Sequence, residues 1–526
     1  MTANASGWKP EMGAVESASP ATYTGNRALM LEEALIFEIG DGETTGVDIA
    51  PMPAQSVEAA HRLGSLQRNR PIGLPGLSEP ETVRHYTRLS RQNYAIDLGF
   101  FPLGSCTMKH NPRLNEKVAR MKGFADVHPL APQETVQGAL AVIHELAQWL
   151  ITLTGMYGVA MSPKAGAHGE LCGILAIKAA LEARGDPRTV ILVPESAHGT
   201  NPATAAFAGY RVETIPATSE GRVDLAALTA RLGPDVAGVM ITNPNTCGLF
   251  ERDMRKISDA VHSAGGYVYC DGANFNAIVG RVRPGDLGID AMHINLHKTF
   301  STPHGGGGPG SGPVVLSEAL APFGPIPYVA KTADGAFHLV EEETAPEEHP
   351  NSFGRMTAFN GQMGMFTRAL TYILSHGADG LRQVAEDAVL NANYILRALE
   401  DVLDAPFAHS GPCMHEALFS DSNLADGFST LDIAKGLIDE GFHPMTVYFP
   451  LVVHGAMLIE PTETESKAGI DQFIGALRSV AERARAGDAS LKSSPHFAPR
   501  RRLDETLAAR KPVLVWKETE LAVAAE

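Results

Sequence analysis

The chain has 526 residues, of which 44% are hydrophobic and 20% charged, with a formal net charge of -17. That length buries a large core in more than one domain, and an acidic chain with no basic block interleaved with aromatics excludes a nucleic-acid surface. No apolar run reaches the ~18 residues of a membrane span and no basic-then-apolar leader opens the chain. The expected place is therefore the cytoplasm, whose reducing conditions suit five cysteines scattered without a CxxC pair (Cys106, Cys172, Cys247, Cys270 and Cys413).

Residues 1–30 are rich in small and polar types without a period, which predicts a disordered extension. An arm over 31–95, broken by Pro51, Pro53, Pro71, Pro75 and Pro80, follows it, with a short helix at Thr82–Leu89. The aperiodic stretch Gly99–Lys109 reads as a structural loop. Ser105, Cys106 and Lys109 would be its working residues if it had a task, but Cys106 has no assigned His or Asp partner. Apolar spacing predicts a buried helix over 133–153. The small residues of SPKAGAHGE, starting at Ser162, then run into a helix and leave its first N–H groups bare, which is a phosphate seat. A plain tight turn into a helix reads the same way.

From there strand and helix alternate to about residue 316, the pattern of a mainly parallel sheet covered by helices. Val190–Val193 is a strand leading to His198, and Val236–Ile241 a strand leading to Asn243 and Thr246, where an Asn-Pro turn is the simplest reading. Tyr267–Cys270 delivers Asp271, and Ala291–Asn295 delivers His297, Lys298 and Thr299 ahead of the glycine run Gly305–Gly308. Surface excursions are expected over Ala319–Pro350, and helices over 360–400 on either side of Gly377. A smaller α/β unit follows from Met414, with strands at Glu416–Phe419, Thr446–Tyr448 and Ala456–Ile459. The expected division is a large domain over 96–370 and a small C-terminal domain with a tail over 371–526.

Chemistry in open α/β sheets gathers at strand ends. A lone lysine beside glycines is by default a surface residue next to a hinge, yet the segment around Lys298 carries few other charges, and an interior ammonium is costly unless neutralised or used covalently. A Schiff base with pyridoxal phosphate does both. That cofactor needs an acid to keep its ring nitrogen protonated, the residue type that Asp271 supplies from a neighbouring strand end. His198 taken alone caps a helix; set between a phosphate seat and Asp271 it becomes a ring to stack on a flat cofactor. No metal site is assigned. The run GGGGPGSG lacks the Lys-Ser/Thr of a P-loop and the spacing of a dinucleotide turn, so a nucleotide is discounted.

The segments FFPLGSCTMKHNP, AGAHGELCGIL, SAHGTNPATAAFAGY, TNPNTCGLFE, DGANFNAIVG, NLHKTF with HGGGGPGSGPV, and GFHPMTVYFPLVVHGAMLIEPTETE stand in one order over roughly residues 80–510. Together they resemble the P-protein of the glycine cleavage system, glycine decarboxylase. The resemblance implies a fold type I, aminotransferase-like pyridoxal-phosphate enzyme with a large mainly parallel domain and a smaller α/β domain. In that family some organisms fuse two halves into one chain and others split them, with the lysine on one subunit only. A chain of this length that keeps the lysine resembles subunit 2 of the split form, which implies a homologous subunit 1 and a heterotetramer of two plus two subunits. It further implies decarboxylation of glycine with transfer of the aminomethyl group to the lipoyl arm of the H-protein, with a T-protein downstream. Carried over by position, Lys298 is the Schiff-base lysine, Asp271 the ring-nitrogen partner and His198 the stacking ring. Ala165, Gly166 and Ala167 are phosphate contacts, and Asn243, Thr246, His297 and Thr299 further cofactor contacts. Other reactions of the same cofactor, such as simple decarboxylation or transamination, need the same Lys298 and Asp271, and a non-catalytic scaffold of this fold would have lost the lysine.

Overall fold

The computed structural model describes residues 33–40, 44, 46, 62–70, 73–304, 310–498 and 500–515; the expected extension over 1–30 and the glycine run Gly305–Gly308 lie outside them. A seven-stranded sheet organises the first two thirds: β1 (Gly158–Ala160), β2 (Val190–Pro194), β3 (Arg211–Ile215), β4 (Val236–Thr242), β5 (Tyr267–Asp271), β6 (Ala291–His293) and β7 (Val314–Leu316). Their order is β1-β7-β6-β5-β4-β2-β3. The strands from β3 through β6 pair in parallel, and β7 runs antiparallel to both β6 and β1.

The continuous apolar runs of β2 and β4 follow from cover on both faces. Successive strand residues point to opposite sides. Leu192, Val239 and Cys270 enter a core with the helices Gln137–Thr154, Met254–Ser263 and the first part of Met363–Leu399. Ile191, Met240 and Tyr269 enter a second core with the helix Gly166–Ala183.

Not every strand was expected from the sequence. β3, exposed at Arg211 and Thr214 on the sheet edge, lacks an apolar run. Within the anticipated excursion, β8 (Tyr328–Lys331) and β9 (Phe337–Val340) form an antiparallel hairpin. The Met363–Leu399 segment is broken at Gly377, whose φ of 62° and ψ of -174° only a residue without a side chain adopts easily. Beyond it lies an antiparallel three-stranded sheet of β10 (Ala417–Phe419), β11 (Thr446–Val447) and β12 (Met457–Ile459), with β12 central. Its core is closed by Ile395 and Leu399, by Ile433 and Leu437 of the helix Thr430–Asp439, and by Phe473 and Leu477 of Lys467–Arg485. Among the described residues no helix is long and apolar enough to cross a membrane.

Candidate active site

The carboxyl ends of β4, β5 and β6 open on one cavity of about 180 Å³. Gly166, Ala167, His198, Thr246, Asp271 and Lys298 all line it. Larger hollows of about 750 and 510 Å³ elsewhere bring no lysine to an acid, so chemistry rather than volume selects this one.

Asp271 ends β5, paired in register with His293 of β6. Its Oδ1 accepts from the Ala273 N–H at 2.9 Å and its Oδ2 from Asn201 Nδ2 at 3.0 Å, with His293 Nε2 3.4 Å away. Burial by itself would raise this carboxyl, but His293, the Ala273 amide, Asn201 and Lys298 together outweigh it and hold the acid below its ordinary range. Asp271 is therefore a fixed anion. His293 is held in turn by the Tyr269 hydroxyl at 2.6 Å from Nδ1 and by Asn295 Oδ1 at 2.9 Å from Nε2.

Lys298 lies on the one-turn helix Leu296–Thr299 that follows β6, and its Nζ donates to the Ser105 carbonyl at 2.8 Å. Adjacent residues of a helical turn point about 100° apart, so Lys298 faces the cavity while its neighbours do not. His297 packs edge-on to His304 at 5.1 Å, and burial, with the charges of His304 and Lys298 next, lowers its pKa to about 3. Thr299 is fully buried, its carbonyl accepting from Lys109 Nζ at 2.8 Å. Asn243 also stands behind the wall, its Oδ1 accepting from the Glu251 N–H at 3.0 Å.

Ala165 is the N-cap of the Gly166–Ala183 helix and offers no side-chain cap, so the N–H groups of the first turn point bare toward the cavity mouth. A Cβ on Gly166 would come 2.8 Å from Asn295 Nδ2 and 3.1 Å from His293 Nε2, so a larger residue at this helix start would push on two side chains of the cavity wall. One turn on, Glu170 accepts from Thr200 at 2.7 Å and Thr204 at 3.0 Å and fixes the segment that carries His198. The His198 ring is exposed, with Nδ1 2.9 Å from Thr200 Oγ1.

Glu170, Thr242, His293 and Asn295 also line the cavity and were not anticipated, and so does Ser105, which the sequence offered only as a working residue of a loop without a task. Glu170, His293 and Asn295 carried a readable signal, being polar residues inside otherwise apolar elements. Buried polar atoms without a partner, Thr242 Oγ1 and Asn201 Oδ1, stand around Asp271. A fixed anion, a lysine, a bare helix start and unsatisfied polar atoms around one cavity form the donor set for a phosphorylated, ring-nitrogen cofactor.

Residues 169–383 match the aminotransferase class-V family and residues 384–496 the family described as glycine dehydrogenase, C-terminal domain. A "probable glycine dehydrogenase (decarboxylating) subunit 2" of Caulobacter vibrioides is 64% identical over 517 residues, 98% of each chain. Its counterpart in Exiguobacterium sibiricum is 50% identical over 92% of this chain and 97% of its own. The fold is like that of a glycine decarboxylase (P-protein) solved in inhibitor-bound form, with a TM-score of 0.67 at 22% identity over 80% of this chain and 94% of that one. It is also like a sphingosine-1-phosphate lyase of Burkholderia pseudomallei, with a TM-score of 0.57 at 12% identity over 82% and 97%.

Proposed function

We propose, for a chain that belongs to the family of glycine dehydrogenase (decarboxylating) subunit 2, that it is the pyridoxal-phosphate-dependent half of the glycine-decarboxylating enzyme and works with a homologous subunit 1. The observation that carries the assignment of roles is the convergence of Lys298, Asp271 and the uncapped start of the Gly166–Ala183 helix on one cavity. Lys298 is the residue that holds the cofactor covalently. Asp271, kept ionised, holds a proton on the ring nitrogen; the Gly166 and Ala167 amides and the helix dipole bind the phosphate; His198, at the mouth, stacks on the ring. When bound, the cofactor supplies an electron sink for the pair left behind as carboxylate departs.

The reaction balances as follows. The C–C bond to the glycine carboxylate breaks and CO2 leaves. A C–S bond forms between the remaining aminomethyl carbon and one lipoyl sulfur of the H-protein, while the S–S bond breaks and the other sulfur takes up one proton. The disulfide is the oxidant, reduced by two electrons. After displacement by glycine the free Lys298 amine is the base or acid at hand in the cavity. We place the assembly, two copies each of subunits 1 and 2 feeding a T-protein, in the cytoplasm.

The test is Lys298→Ala in the assembled enzyme. The Schiff-base absorption band should vanish with the melting temperature little changed, and exchange of CO2 with the glycine carboxyl should need subunit 1 and the lipoyl carrier. A wild-type protein that takes up no pyridoxal phosphate would sink the reading.

A further inference from the structure

The loop expected to be merely structural is gripped from the small sheet. Leu103 bridges Ile459 of β12, and the Gly104 carbonyl accepts from the Thr446 hydroxyl at 2.6 Å. The Ser105 N–H donates to Glu416 Oε1, and the Thr107 N–H to Glu460 Oε2 at 2.9 Å. Ser105 and Thr107 have φ of 67° and 29°, a backbone that non-glycine residues keep only where their surroundings enforce it.

Both acids are completely buried, so each amide meets a carboxyl undiluted by water. The second oxygen of each, Glu416 Oε2 and Glu460 Oε1, has no hydrogen-bond partner and turns toward His415 Nε2, 3.9 Å away in both cases. Neither acid reaches the cavity. What their grip delivers there is the Ser105 carbonyl, on which Lys298 Nζ donates at 2.8 Å.

We propose that the Ser105 carbonyl is the acceptor on which Lys298 rests whenever its amine is free in the catalytic cycle, and that Glu416 and Glu460 are the positioning residues that keep this carbonyl in place. The inference rests on the covalent role given to Lys298 above. A lysine released on a stem with several free rotamers would have to be found again at each turnover; one hydrogen bond at the cavity wall keeps it within reach of its return.

The experiment uses the full chain together with subunit 1. In the cofactor-free protein, labelling of Lys298 by an amine-directed reagent is read by peptide mass. On addition of pyridoxal phosphate, capture of Lys298 as a Schiff base is timed by absorbance. Glu416→Gln keeps an acceptor oxygen for the Ser105 amide and should match the wild type in both. Glu416→Ala should label about tenfold faster and be captured about tenfold more slowly, the worth of one buried hydrogen bond. Glu416→Asp, which withdraws the oxygen by one methylene while keeping the carboxyl group, should do the same and decides the matter if the alanine variant does not fold. Capture within about twofold of wild type in folded Glu416→Asp overturns the proposal. So does a Glu416→Gln enzyme as slow as Glu416→Ala, since charge and not placement would then be at work. Absence of any Schiff-base band in the wild type would count against the cofactor reading instead, and the labelling arm would still report on the Ser105–Lys298 contact.

Discussion

Lys109→Met removes the ammonium that holds the back of the lysine turn. Lys109 Nζ is bonded to Glu463 Oε1 at 2.6 Å, the Thr299 carbonyl at 2.8 Å, Asn276 Oδ1 at 2.9 Å and the Tyr372 hydroxyl at 3.2 Å. Burial alone would lower this ammonium's pKa, but Glu463 and Tyr372 outweigh it and raise it. The side chains of Lys109 and Glu463 are only 1% and 8% exposed, so methionine would fill the volume and leave the carboxylate buried with no cation. Breaking such a pair from one side costs about 3–5 kcal/mol. With a urea slope of about 3 kcal/mol/M, the unfolding midpoint should fall by about 1 M or more. Adding Glu463→Gln should recover most of the loss, because neither charge then remains unpaired. Thr299 follows Lys298 directly, so the folded single variant should also form its Schiff base more slowly. A midpoint within about 0.3 M of wild type, or a double variant no better than the single one, would refute the argument.

Asp271→Asn removes the anion beside the ring nitrogen while keeping its shape. It should weaken equilibrium binding of pyridoxal phosphate and lower glycine–CO2 exchange by about a hundredfold or more; near-normal exchange would take Asp271 out of its role. The buried acids give a pH signature. Glu416 and Glu460 are both raised, chiefly by burial and in Glu416 next by the charge of Glu460. The folded chain therefore keeps protons that the unfolded chain releases above about pH 4.3. In that window the native state binds more protons, so stability falls as pH rises toward the raised values and levels off beyond them. Glu460→Gln should flatten this slope in urea midpoints taken between about pH 5 and about pH 8, and an unchanged slope would show that another group causes it.

Asp271 and Lys298 were legible because each follows an apolar strand that the sheet buries on both faces, so a charge at its end stands out from its surroundings. The alternation of strand and helix and the mainly parallel order follow from the same runs. β3 was not legible, since an edge strand with one open side needs no apolar run. The cavity wall includes neither His297 nor Thr299, which a helical turn rotates away from Lys298, nor Asn243, whose oxygen accepts from the Glu251 amide. The loop at Ser105 was read only as a structural one, with its working residues left without a task. It has no period of its own, and its conformation is set by Glu416, 311 residues away.

That long-range contact also bears on how the two sheets divide the work. The groups assigned to hold the cofactor, Lys298, Asp271, His198 and the Gly166–Ala183 helix start, all come from segments of the seven-stranded sheet. The three-stranded sheet reaches the cavity indirectly, through the 103–109 loop: β12 pairs with Leu103, Glu416 and Glu460 take the amides of Ser105 and Thr107, and Glu463 takes Lys109. Lys109 in turn holds the Thr299 carbonyl, and Ser105 offers its carbonyl to Lys298. The lysine turn is thus fastened at Lys298 itself and at Thr299 by a loop whose own shape depends on the second sheet. A shift of the small unit relative to the large one would move the acceptor of the Lys298 amine without touching the groups assigned to bind the cofactor. It follows that substitutions at β10 and β12 should alter how fast the lysine is captured more than how tightly cofactor is finally held, whereas those at β5 and β6 should alter both.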